Sequence, residues 1–217
     1  MPASPAPPPP RRVRRKEARP GELLDAALTL FVERGYAATR VEEVASLAGV
    51  SKGTLFLYFP SKEDLFKAVV RETITGHFAK WNEELESFDG DTASLVRKLM
   101  HSWWERVGQT RAAGITKLVI SEACMFPDIA NFYQNEVITP GHRLIRSILQ
   151  RGVDRGEFRP LDIDHAVYCL IAPMIFLIMW KHSLASSCPS SQVIDPLQFI
   201  DTQATLLLEG MLQRPAA

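Results

Sequence analysis

The sequence predicts an all-α protein in which a short three-helix unit precedes a longer helical region. Three observations carry this. Apolar residues recur at i, i+3, i+4 and i+7 almost throughout from Gly21 onward. Glycines, prolines and Ser/Thr/Asp caps cut that pattern into pieces of helical length. No segment alternates with a period of two between turn residues, so no sheet is expected.

Each element follows from its own residues. The first ten positions hold six prolines and no large apolar side chain, so residues 1–20 read as a disordered arm. Leu24, Ala27, Leu28 and Phe31 mark a first helix over about 21–34, with Gly35 as its C-cap. Thr39 starts a second helix, with Glu42 completing a capping box, and Gly49 stops it. A third runs from Ser51 to Phe59, where Pro60 closes it. Ser61 and Asp64 cap a fourth, whose stripe of Phe66, Val70, Ile74, Phe78, Trp81 and Leu85 predicts one long helix to about Glu86. Further helices are expected near 91–110, 114–124, 127–155, 162–184 and 195–212, about nine in all.

The chain has 217 residues, is 46% hydrophobic and 23% charged, and has a mean hydropathy of −0.04. That describes a soluble globular chain able to bury a core without disulfides or metals. Its longest charge-free apolar run, Ala166 to Trp180, has 15 residues, short of the roughly 18 a bilayer span needs. No membrane partner is therefore expected. Cys124, Cys169 and Cys188 are few, odd in number and far apart, which fits a reducing compartment. The net charge of +0 hides an asymmetry: residues 1–20 carry +5 and residues 21–62 carry −1, against −4 in the remainder. A basic front end on an acidic body places a polyanion partner at the N-terminal end; a solvated, solubilising tail is the plainer reading.

The first three helices have a helix-turn-helix layout. The second and third must cross closely, so their contact residue must be small, and Ala45 stands there. Gly49 supplies the positive φ of the turn. Val50 and Leu55 face inward, which leaves Ser51, Lys52, Thr54, Leu57 and Tyr58 to project from a helix that fits the roughly 12 Å major groove. The run LLDAALTLFVERGYAATRVEEVASLAGVSKGTLFLYFPSKEDLFKAVV, about residues 23–70, resembles the DNA-binding region of TetR/AcrR-type transcriptional regulators. The segments GYAATRVEEVA, GVSKGTLFLYF and PSKEDLF occur in order at the family's spacing.

The resemblance implies a helix-turn-helix DNA-binding domain over residues 21–67 and a helical ligand-binding and dimerisation domain over 68–217. It implies a cytoplasmic bacterial homodimer that binds double-stranded, palindromic operator DNA, by default as a repressor, and releases it when a small molecule binds. Thr39 matches a phosphate contact, and Arg40 beside it reaches a base or phosphate. Ser51, Lys52, Gly53 and Thr54 open the reading helix, and Tyr58 and Lys62 match phosphate-contacting positions. The plainer readings are a helix cap for Thr39, a half-buried aromatic for Tyr58 and a solvated lysine for Lys62. The family often has Tyr-His or Tyr-Tyr where this chain has Phe56-Leu57, so Leu57 is expected to touch a thymine methyl instead.

In the remainder, residues 165–181 are apolar nearly all round and the last helix adds Leu197, Phe199, Ile200, Leu206, Leu207, Leu208 and Met211. Such helices are buried on two sides, which predicts a four-helix dimer interface; a thick monomeric core is the alternative. Pro173 should kink its helix and open a cavity. The candidate lining is Phe78, Trp81, Trp104, Leu118, Glu122, Tyr133, Cys169, Pro173 and Leu177, with Glu122 either a polar anchor or a solvent-facing residue. Few charges fall in these stripes, so a small apolar effector is expected. No GxSxG, HExxH or phosphate-loop motif is present. Of Glu-x-x-His pairs there are none, and Asp162 with His165 is a single weak metal pair. Neither an enzyme nor a cofactor or metal is expected, and a helical adaptor for a protein partner is the alternative function.

Overall fold

The structure, a computed structural model, describes residues 20–187 and 194–213. The proline-rich arm, Cys188 and the predicted breaker beside it lie outside the described residues. Among the described residues the fold is all-α, and the one extended pairing is an isolated bridge between Phe158 and Leu212.

Helix α1 (Pro20–Ala38) changes course at Gly35, whose φ of 83° and ψ of 170° leave the helical region. The predicted stop is thus a kink, followed by a further short turn. Helices α2 (Val41–Leu47) and α3 (Lys52–Tyr58) form the helix-turn-helix, with Gly49 at φ 75° between them. Val44, Ala45, Val50 and Leu55 are buried at the crossing. The Ser51 hydroxyl caps α3, accepting from the Thr54 amide at 3.1 Å.

The capping box expected at α2 does not form. Arg40 occupies the cap position with no side-chain bond to the helix. Thr39 is 2% exposed, and its hydroxyl lies within hydrogen-bond distance of the Leu30 (3.1 Å) and Gly35 (2.7 Å) carbonyls. It ties the end of α1 together instead of capping α2.

The fourth helix is not one rod. Ser61 caps α4 (Lys62–Thr73), as expected from its bonds with Asp64. The helix stops at Ile74, passes through a 3₁₀ turn (Thr75–His77) and resumes as α5 (Phe78–Glu86). The cause is local: Thr73-Ile74-Thr75 is a β-branched run and Gly76 follows it, so helix propensity falls to its lowest there.

The C-terminal part begins with α6 (Thr92–Trp103), which runs into a π-helical turn (Trp104–Gly108). Then come α7 (Ala113–Glu122) and α8 (Pro127–Tyr133). A second π turn (Gln134–Ile138) carries α8 into α9 (Thr139–Asp154) as one continuous rod. Helix α10 (Ile163–Met179) ends in a third π turn (Trp180–Leu184), and α11 (Pro196–Met211) closes the bundle. Asp162 caps α10 and also bonds the His165 ring at 2.8 Å, so the Asp-His spacing serves the helix start.

Pro173 sits inside α10 without interrupting it. With its π extension this helix spans 22 residues and contains an 18-residue window of mean hydropathy 1.8. It is therefore long and apolar enough to cross a bilayer by length and composition alone, as core helices of bundles also are. In this fold it is a bundle helix, with Val167, Leu170, Met174, Leu177 and Ile178 buried against its neighbours.

One core runs through both parts. Phe31 and Phe66 meet edge to face at 5.3 Å, Tyr36 packs on both, and Phe126 packs on Tyr36 at 4.9 Å. Aromatic contacts of this kind join the helix-turn-helix to α4 and to the loop after α7.

Candidate DNA-reading face and effector cavity

Leu55 anchors α3 inward, so the opposite side of the helix presents Gly53 and Leu57, with Thr54 on the flank. Lys52, Gly53, Leu57 and Tyr58 are exposed, and Ser51 and Thr54 are half-buried. Leu57 is 84% exposed. A leucine this bare on a short helix has no packing role among the described residues. Arg40 is exposed at the start of α2. Lys52 pairs with Glu42 at 2.5 Å, which holds that carboxyl below its ordinary range. A phosphate arriving at Lys52 therefore competes with an acidic side chain of the same face.

Thr39 and Lys62 stand apart from this exposed set. The Thr39 side chain is turned inward, so any phosphate contact there falls to the backbone. Lys62 is half-buried, donates to the Ala37 carbonyl at 3.2 Å and lies 4.5 Å from the centre of the Tyr36 ring. Burial pushes its ammonium down, partly offset by the Glu122 carboxylate.

That carboxylate belongs to neither solvent nor cavity. Glu122, at the end of α7, accepts from the Tyr36 amide at 3.1 Å and the Ala37 amide at 3.0 Å. It satisfies the two N–H groups that the Gly35 kink frees from helical bonding. A Cβ at Gly35 would overlap the Glu122 carboxylate oxygen. The kink of α1 and the end of α7 thus form one clamp beside the helix-turn-helix.

A cavity of ≈ 450 Å³ lies among α5, α6, α7, α9 and α10. Of the nine residues predicted from the sequence, Phe78, Trp81 and Tyr133 line it. Six do not. Trp104 is buried in the core with Lys181 over its ring. Leu118 and Glu122 lie on the other side of α7 from the lining residues Thr116, Val119 and Ile120. On α10 the lining residues are Tyr168, Leu170, Ile171, Met174 and Ile175; Cys169 and Pro173 lie out of phase with them, and Leu177, on the same stripe as Leu170 and Met174, comes a turn beyond the last of them. Residues that the sequence reading missed include Trp103, Thr116, Val137 and His142. Sequence spacing from Tyr133 along the rod, once the π turn is known, is the signal that finds the last two.

The cavity wall is overwhelmingly apolar. Trp81 spends its indole N–H on Ser102 at 2.9 Å. The Tyr133 hydroxyl bonds that of Thr116 at 2.8 Å, and burial pushes the phenol up to about 12. His142 lies on the wall with Tyr168 edge-on at 5.0 Å, and burial followed by the Arg146 charge pushes its imidazole down. No lysine, arginine, aspartate or glutamate lines the space among the described residues.

Comparison with known proteins finds a match for each of the two helical parts. The family model for bacterial regulatory proteins of the tetR family matches residues 23–69, and the tetracyclin repressor-like C-terminal domain matches residues 88–187. The transcriptional repressor KstR2 of Rhodococcus jostii is 32% identical over 73% of this chain and 76% of its own. The chain belongs to the TetR family. The regulator RutR of Escherichia coli is 42% identical over 40% of this chain and 39% of its own. The structure of FadR from Bacillus subtilis with stearoyl-CoA superposes with a TM-score of 0.73 at 21% identity, over 88% of this chain and 99% of that one. Like its family, this TetR-family chain is a ligand-responsive, DNA-binding regulator of transcription, and the helical-adaptor alternative falls away. Its relatives are regulators rather than enzymes.

Proposed function

We propose that this TetR-family regulator is a homodimeric repressor that reads a palindromic operator through α3 and leaves it when a hydrophobic effector fills the cavity. The observation that carries this reading is that α4–α5 and α7 touch both sites. Ile74 and Phe78, on either side of the α4–α5 break, line the cavity. Helix α7 gives Thr116, Val119 and Ile120 to the same cavity and Glu122 to the α1 clamp. An effector pressing these walls acts at once on a joint and on a clamp beside the DNA-reading helices. By linkage, operator DNA lowers effector affinity by the factor that effector lowers DNA affinity.

The dimer reading rests on a face that stands exposed among the described residues. Tyr168, Phe176 and Leu184 of the α10 rod and Leu197 and Leu206 of α11 are exposed. Phe176 reaches Phe199 at 5.9 Å, which joins the two helices into one apolar surface. Reading a palindrome requires two α3 helices about 34 Å apart, which one chain does not supply. Arg40, Ser51, Lys52, Gly53, Thr54, Leu57 and Tyr58 are the proposed DNA contacts, with Lys62 and the Thr39 backbone beside them. The related KstR2 of Mycobacterium tuberculosis is described as a ketosteroid regulator, and the fold neighbour FadR was solved with stearoyl-CoA. The steroid skeleton and the acyl chain in those names are hydrophobic groups of the kind that suits an apolar space of ≈ 450 Å³.

The test is titration of the purified chain against DNA flanking its own gene across a salt series. Selective binding with a steep salt slope is expected; equal binding to every sequence would refute the reading. Within the operator so found, deoxyuridine replacing each thymine in turn should expose the position under Leu57. Losing one buried methyl costs about 0.8 kcal/mol, or about fourfold in Kd. Leu57→Ala should abolish that sensitivity; a variant that keeps it would remove Leu57 from the base-reading set.

A further inference from the structure

The cavity holds one polar feature enclosed in its wall. Thr116 on α7 and Tyr133 at the end of α8 are both buried, both line the space, and share a single hydrogen bond of 2.8 Å. Two hydroxyls carry two protons, and one bond uses one of them. Among the described residues neither oxygen has another acceptor in reach. Whichever hydroxyl donates, the other keeps a proton with no protein partner. An O–H left unpaired in an apolar enclosure is costly, so the pair is an unfilled donor waiting for an acceptor.

The rest of the wall narrows what that acceptor is. With no cation on the wall, a buried carboxylate would lose its hydration without a counter-charge. Gln134 and Tyr168 lie on the exposed side of the cavity and His142 and Trp103 are half-buried, so among the described residues the fully buried part of the wall offers hydrocarbon contacts and the donor of this pair. The high pKa of Tyr133 keeps the donor protonated throughout the physiological range. We propose that the effector is a neutral hydrophobic molecule bearing a carbonyl oxygen, and that the Thr116–Tyr133 pair is the anchor that recognises it. This inference rests on the cavity being the effector site.

The pair predicts an unusual pattern of variants. Tyr133→Phe leaves the Thr116 proton free to donate, and Thr116→Val leaves the Tyr133 proton free. Each single variant therefore keeps the preference for a carbonyl, and only the double variant loses it. The probes are fluorenone, which carries the carbonyl, fluorene, which has a CH₂ in its place, and fluorene-9-carboxylate. Binding to the full chain is read by quenching of Trp81 and Trp103, both on the wall. Fluorenone should bind about tenfold tighter than fluorene in the unaltered protein and in both single variants. The carboxylate should bind weakest. In the double variant the fluorenone advantage should vanish while fluorene affinity stays, which also shows that the cavity still folds. No advantage in the unaltered protein, or one surviving in the double variant, would overturn the anchor while leaving the cavity as effector site. Failure of all three probes to bind would overturn the cavity reading and the anchor with it.

Discussion

Gly35→Ala is expected to cost about 2–4 kcal/mol of folding stability. Gly35 sits at φ 83° and ψ 170°, a region that is essentially glycine-only. The added Cβ would also meet the Glu122 carboxylate, so the backbone has to turn and the clamp has to open. Opening it strands the Tyr36 and Ala37 amides and pulls the Gly35 carbonyl from the Thr39 hydroxyl. For a chain of this size the loss corresponds to a fall in Tm of roughly 4–16 °C. Pairing the change with Glu122→Ala separates the two causes. The double variant should regain the part due to collision and keep the part due to backbone strain. A Gly35→Ala midpoint in urea indistinguishable from the parent would mean that the kink is not part of the folded state.

Leu206→Asp together with Phe176→Asp should turn the protein into a monomer and cost about a hundredfold or more in operator affinity. The two side chains are 68% and 44% exposed, so the fold of one chain does not depend on burying them. A second copy covering this face would, however, bury two carboxylates against apolar surface, which association does not tolerate. The effect on DNA is large because a dimer presents its second reading helix at a high effective concentration once the first has bound. Sedimentation and operator titration of the same preparation check this. A variant that remains dimeric, or a monomer that keeps full operator affinity, would move the dimer interface elsewhere.

Helix positions were legible because their starts carry strong chemical signals. Ser51, Ser61, Asp162 and Asp195 all cap the helices that come after them. Thr39 carried the same signal and turned inward, because a hydroxyl serves the preceding helix's carbonyls as well as the next helix's amides. The α4–α5 break was written in Thr73-Ile74-Thr75-Gly76, but an unbroken apolar stripe masked it. Helix α10 gave its length and not its phase. A helix apolar on every side offers no contrast from which to tell Ile171 and Ile175 from Pro173 and Leu177. The Glu122 clamp was beyond local reading, since its partners are 85 and 86 positions away.

Two of the three π-helical turns make part of the cavity a matter of residue number rather than residue type. Val107 comes from the first, and Gln134, Val137 and Ile138 come from the second. A π turn holds one residue more than the α-helix around it needs, and each residue rotates the remainder of the rod by about 100°. Deleting one residue from 134–138 would swing Gly141, His142 and Ile145 off the wall without altering any of them. Among chains sharing this architecture, single-residue insertions and deletions at such turns are then a route to new effectors. Alignments that slide a gap to the nearest loop would hide it.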